Sequence, residues 1–104
     1  MGALTVLDGE GIAVGGGLRV GGGFSLQEGT NEFMGVATLA NGTVTVANTS
    51  VTANTRIFLT PQSEVDTPGF VSVTSRVAGT SFTIGSSTAT DDSVVAWLLI
   101  EPAA

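Results

Sequence analysis

Carboxylates are the only side chains in this 104-residue sequence equipped for acid–base chemistry, since His, Cys and Tyr are all absent. The basic residues are Arg19, Arg56 and Arg76, and nine acids against these three cations give a net charge of −6. Two acid pairs stand close enough to weigh: Asp91 with Asp92, and Glu64 with Asp66. Across a cleft, two carboxylates hydrolyse glycosides, one protonating the leaving oxygen while the other attacks the sugar or activates water. Both pairs fall in polar connections, and adjacent Asp91 and Asp92 are more simply turn formers before a strand. A Ser nucleophile would need a base, and neither His nor Lys is present. Calcium suits the hard oxygens of Asp8, Glu10, Asp91 and Asp92, but neither EF-hand spacing nor an Asp-rich nonapeptide occurs. The sequence therefore predicts a non-enzymatic protein with no cofactor and no dedicated metal site.

The remaining motifs exclude more than they suggest. Gly15-Gly16-Gly17 and Gly21-Gly22-Gly23 lack the Lys and Ser/Thr of a phosphate loop, and no helical pattern follows them. Asn41-Gly42-Thr43 and Asn48-Thr49-Ser50 match the N-glycosylation sequon. The N-terminus has no basic region followed by an apolar one, so both read as ordinary turns. An acidic surface repels phosphate backbones, which argues against nucleic acid as a partner. No apolar window of about 18 residues exists, so no membrane helix is expected. With 42% hydrophobic and 12% charged residues, the chain has the composition of a folded protein rather than a disordered one.

What would position these residues is a set of strands. Val94 to Ile100 is an unbroken apolar run that holds the only Trp, Trp97, and Pro102 stops it. A run that does not alternate predicts a strand covered on both faces, either in the middle of a sandwich or partly by another subunit. Phe33 to Leu39, Thr43 to Ala47, Arg56 to Thr60, Phe70 to Val77 and Ser81 to Ile84 are further strand candidates, and Asn41-Gly42 is the strongest two-residue hairpin signal. Turn signals every eight to twelve residues suggest about seven strands between residues 32 and 101, and hence an all-β antiparallel sandwich or jelly roll. Edge strands with few charges and no Lys would invite pairing with other chains unless a neighbouring subunit covers them.

Before residue 30 the pattern differs. Ala3 to Leu7 is a short strand candidate, and Asp8 to Gly11 a turn. Ile12-Ala13-Val14, Leu18-Arg19-Val20 and Phe24-Ser25-Leu26 then repeat with glycine corners between them. Each three-residue unit points two apolar side chains to one side. A hexapeptide β-helix needs about three hexads per coil and stacked coils for a core, so these units cannot bury themselves alone. Three chains sharing an axis would supply the missing surface; an edge hairpin or a loose arm are the alternatives. The division is thus a Gly-rich short-strand arm over residues 1–29 and a β-sandwich domain over residues 30–104. The arm is expected to dock and trimerise through Ile12, Val14, Leu18, Arg19, Val20, Phe24 and Leu26.

Three stretches carry a family resemblance: Val46 through Thr60 (Val-Ala-Asn-Thr-Ser-Val-Thr-Ala-Asn-Thr-Arg-Ile-Phe-Leu-Thr), Val77 through Ile84, and Val94 through Pro102. Spanning about residues 36 to 102, they resemble a small β-sandwich module of tailed-bacteriophage virion proteins, and the glycine hexads resemble shaft segments of trimeric phage fibres. The resemblance implies a module that closes the C-terminus of tail fibres and tailspikes or stands alone on the capsid, with no catalytic residues to carry over. A chain opening at Met1 and ending at 104 residues is expected to be complete, with little room for a separate receptor-binding head. That favours a capsid decoration, cement or head-fibre protein: a homotrimer on the capsid surface with the major capsid protein as partner. The alternative is the trimeric C-terminal domain of a tail fibre or tailspike, with host-glycan binding as a further role. Trp97 inside the most apolar run argues mildly for the first, because glycan sites offer exposed aromatics.

Overall fold

A computed structural model of the chain describes residues 14–63 and 65–103. The expected strand at Ala3 to Leu7, the turn after it, and Ile12 lie outside the described residues. Six strands form: β1 (Met34–Thr38), β2 (Thr43–Ala47), β3 (Arg56–Pro61), β4 (Val71–Val77), β5 (Ser81–Ser86) and β6 (Val94–Ile100). All pairings are antiparallel and give two three-stranded sheets, ordered β1-β6-β3 and β2-β5-β4. The β1–β6 and β2–β5 pairs nest inside one another, which is the winding of a jelly roll shortened to six strands.

The expected alternations place the core. Val95, Trp97 and Leu99 of β6 and Phe82 and Ile84 of β5 are buried between the sheets, joined by Leu39 and Val51 from the connections. Half-buried Ile57 and Leu59 of β3, Val44 and Val46 of β2, and Val71 and Val73 of β4 pack around them. Trp97 meets Phe82 edge to face, with ring centroids 5.5 Å apart at 78°. The Trp97 ring lies against Gly35 of β1, whose missing side chain makes room for it.

Three expectations need correction. Six strands form against about seven expected, each at one of the six named candidates, and the Thr-rich stretch after β2 is held in turns by its own side chains. Thr52 N donates to Thr55 Oγ1 at 2.8 Å and Asn54 N to Thr52 Oγ1 at 3.1 Å, bonds that compete with a ladder. Asn41-Gly42 does form a tight turn with positive φ (55° and 79°), closed by bonds between Ala40 and Thr43 of 3.0 and 3.2 Å. The hairpin ends there, since β1 and β2 belong to different sheets; Leu39 N bonds Ser93 O and its side chain drops into the core. In the arm, residues 14–27 form no strand, because a three-residue segment within one chain has no ladder to join. The first rung is Glu28 beside Met34, where Gly29 N donates to Met34 O at 3.1 Å.

The sandwich has two distinct ends. Met34 pairs with Leu98 and Thr38 with Val94, so the arm and the C-terminal residues leave from one end. The Asn41-Gly42 turn, the 62–70 loop and the 87–93 connection lie at the other. Two edges carry devices against stray pairing: β3 finishes at Pro61 and β4 is bulged between Val73 and Ser75.

Candidate functional site

Asp91 is built into the end opposite the arm. Its carboxylate is 1% exposed and accepts from Ser93 N at 3.0 Å, from the Ser93 hydroxyl, from Ser86 Oγ at 2.7 Å and from Gly69 N at 2.9 Å. The Ser93 and Ser86 hydroxyls, with the two backbone donors, bring its pKa down from 3.8 to about 2 against the opposing cost of burial. Its carbonyl accepts from Gly42 N at 3.1 Å. One residue thus ties the Asn41-Gly42 turn, the 62–70 loop, the end of β5 and the start of β6 together. The i to i+2 bond to Ser93 is the turn geometry that the Asp-Asp dipeptide suggests.

That arrangement removes Asp91 from acid–base and calcium chemistry. Its oxygens are spent on internal donors, while Asp92, the next residue along, is exposed. Asp92 lines an open polar cleft with Asp66, Thr67 and Thr90, and the two threonine hydroxyls bond to each other at 2.8 Å. Glu64 of the second acid pair lies outside the described residues, as do Asp8 and Glu10. Among the described residues no three carboxylates gather as a cation site. Asn48 of the second sequon is fully buried, donating to Glu32 O and accepting from Ser50 N, so it serves the turn.

At the arm's end of the sandwich, Glu101 performs a related task. It accepts from Thr52 Oγ1 at 2.6 Å and Thr55 Oγ1 at 2.7 Å. Those hydroxyls, with Arg56 and Arg76 nearby, hold its carboxyl below the usual range. Arg76 in turn donates to the carbonyls of Thr55 and Thr52 at 2.7 and 3.1 Å. Two of the three cations in the sequence therefore hold the β2–β3 connection, since Arg56 also donates to Asn54 O at 2.6 Å.

The expected arm interface is laid out as unburied surface. Val14, Leu18, Val20 and Phe24 are exposed, Leu18 and Phe24 by 73% and 70%; Arg19 is exposed and Leu26 half-buried. None belongs to the core of the sandwich. Where the arm joins the body, Glu28, Gly29 and Thr30 rim a shallow cleft of about 390 Å³ between β1 and β2, with the edge of Trp97 at its floor. Trp97 itself is 4% exposed and offers no ring face to a ligand. The aromatic that sequence reasoning passes over is Phe70: its side chain is 89% exposed while its backbone is fixed to Ser87 by bonds of 2.8 and 2.9 Å.

Residues 31–100 match the family described as the K1 capsule-specific polysaccharide lyase, C-terminal domain. No curated protein matches the chain. The matched span begins just before β1 and closes with β6, so it takes in the whole sandwich and leaves the glycine arm outside. It supports the virion-module resemblance at the coarse level and associates the chain with the virion. By the match over all six strands, the chain belongs to the family of K1 capsule-specific polysaccharide lyase C-terminal domains.

Proposed function

We propose that this chain serves as the trimeric C-terminal module of a tail fibre or tailspike-type protein, a structural part with no catalysis of its own. The observation that carries this reading is the extent of the family match. It covers every strand of the body, so the folded unit corresponds to what a polysaccharide lyase carries at its C-terminus rather than to a lyase centre. The carboxylates support it: Asp91 and Glu101 are engaged as acceptors for backbone and hydroxyl donors. Capsid decoration, the first expectation from the sequence, finds no such support. Host-glycan binding, where it accompanies the role, falls to Phe70 rather than to buried Trp97. Antibody labelling of intact particles under electron microscopy tests the reading. Label on the tail is the expected result; label over the head surface overturns it.

A further inference from the structure

The Asn41-Gly42 pair carries a chemistry that its role as a turn does not use. In such a pair the backbone nitrogen of the glycine can attack the side-chain amide carbon of the asparagine, because no Cβ on the glycine stands in the way. The N–Cγ bond forms as the Cγ–Nδ2 bond breaks. The glycine nitrogen gives its proton to base, and Nδ2 takes one from water and leaves as ammonia. A second water then opens the five-membered imide. Opening at Cγ yields aspartate; opening at the backbone carbonyl yields isoaspartate, whose main chain runs through Cβ and Cγ and is one carbon longer. Here the asparagine is exposed and the glycine buried. The sequence holds four asparagines, Asn31, Asn41, Asn48 and Asn54, and only Asn41 is followed by glycine.

The backbone that this reaction has to move is held by the connection above it. Gly42 N donates to Asp91 O at 3.1 Å, and Gly42 O accepts from Ser86 N at 2.8 Å. The nitrogen of the imide carries no hydrogen, so ring closure requires the bond to Asp91 O to be given up. The fit leaves no slack, since a Cβ on Gly42 would stand 2.6 Å from Thr88 O and 3.1 Å from Ala89 Cα. The 87–93 connection is pinned in turn through the Asp91 carboxylate, which accepts from Ser86, Ser93 and Gly69. We propose that Asn41 is a deamidation site gated by the 87–93 connection, reacting only in molecules where that connection has lifted from Gly42. The rate is then that of an unstructured Asn-Gly pair multiplied by the open fraction. The product does not fit the turn it came from. Asn41 and Gly42 both have positive φ, and Ala40 and Thr43 bond to each other across just these two residues. Isoaspartate lengthens that span by a carbon, and either product adds a carboxylate to a chain whose net charge is already −6.

The test is peptide mapping by mass spectrometry after incubation at mildly alkaline pH, with chromatography that separates aspartate from isoaspartate. The samples are the full chain, a synthetic peptide of residues 38–46, the variants Asp91→Ala and Ser86→Ala, and Glu101→Gln as a control that loosens the opposite end of the sandwich. Circular dichroism reports folding. Asn41 in the parent should convert at least about ten-fold more slowly than in the peptide. Asp91→Ala and Ser86→Ala should close much of that gap, Glu101→Gln should leave it, and amide hydrogen exchange at Gly42 N should quicken in the same order. Ser86→Ala removes one donor of several, so it stays folded even where Asp91→Ala does not. A parent that converts as fast as the peptide, or converts first at Asn31, Asn48 or Asn54, would overturn the proposal. So would Asp91→Ala and Ser86→Ala converting at the parent's rate, or Glu101→Gln accelerating as much as they do, since opening would then be global.

Discussion

Adding one methyl group at Gly35 should destabilise the sandwich far more than its single carbon suggests. Gly35 faces Trp97 across the β1–β6 ladder. A Cβ at Gly35 would overlap Trp97 Cζ2 and stand 2.8 Å from Cε2 and 3.2 Å from Cη2. These are atoms of the ring body, so no flexible tip can swing aside. Retreat is restricted too, since the ring is buried and packed edge to face with buried Phe82. Overpacking of this kind costs about 1–3 kcal/mol, and a restricted retreat places Gly35→Ala in the upper part of that range. At roughly 4–8 °C per kcal/mol for a domain this small, the melting temperature should fall by about 10–20 °C. Thermal unfolding followed by circular dichroism and Trp97 fluorescence measures the shift. In Gly35→Ala/Trp97→Phe the smaller ring makes room for the methyl group, so the two changes should cost less together than their separate sum. Gly17→Ala, where an added carbon meets nothing within 4 Å, should leave the transition in place. A Gly35→Ala transition within about one degree of the parent, or strictly additive costs in the double variant, would refute the packing argument.

Three further outcomes follow from the same structure. Trp97→Ala should cost on the order of 3–5 kcal/mol and abolish cooperative unfolding at ordinary temperature, whereas a normally folded variant would mean the ring is not core. Asp91 has a folded pKa of about 2 against an ordinary 3.8, so its contribution is complete above about pH 4 and fades as the pH falls toward about 2. The urea midpoint of the parent should drop across that window; Asp91→Asn should start lower at neutral pH and drop less, and parallel pH profiles would contradict the assignment. Deleting residues 1–27 removes no core side chain among the described residues and spares the Glu28–Met34 rung, so the remaining body should keep its urea midpoint while associating more weakly by sedimentation. A body that unfolds on this deletion would show that the arm belongs to the fold.

The sandwich is legible in the sequence because its inward positions follow a period of two: alternation alone places Ile57 and Leu59, Val71 and Val73, Phe82 and Ile84. The Asn41-Gly42 turn is legible for a local reason, its need for positive φ at both residues. What happens two residues away is not, because the sheet that accepts β2 is decided by where Leu39 is buried, and that is a long-range matter. Asp91 reads as a turn former, but Ser86 and Gly69, which complete its shell, come from distant parts of the chain with no spacing to announce them. The unbroken apolar run at β6 reads as covered on both faces. Its inner half, Val95, Trp97 and Leu99, is covered within the chain, while Ile100 on its outer half stays exposed, as does Phe58 of β3 beside it. Phe70 escapes notice because it opens a strand-like alternation, and its exposure arises from the bonds to Ser87 that hold its backbone at the margin of the sheet.

The chain enters and leaves the sandwich at the same end, and this has a mechanical consequence. A pull applied between the two ends would open the β1–β6 ladder like a zipper, breaking its five residue pairs one after another instead of shearing them together. A tether that holds the module by the arm alone leaves that ladder unloaded. A protein fused after Pro102 would emerge beside the arm and crowd whatever the arm is joined to. A peptide inserted in the 62–70 loop would instead be carried at the far end, about 20 Å away along β6, on a platform that Asp91 holds rigid. For display of foreign sequence, that loop is the side of the module to use, and the terminus is the side to leave alone.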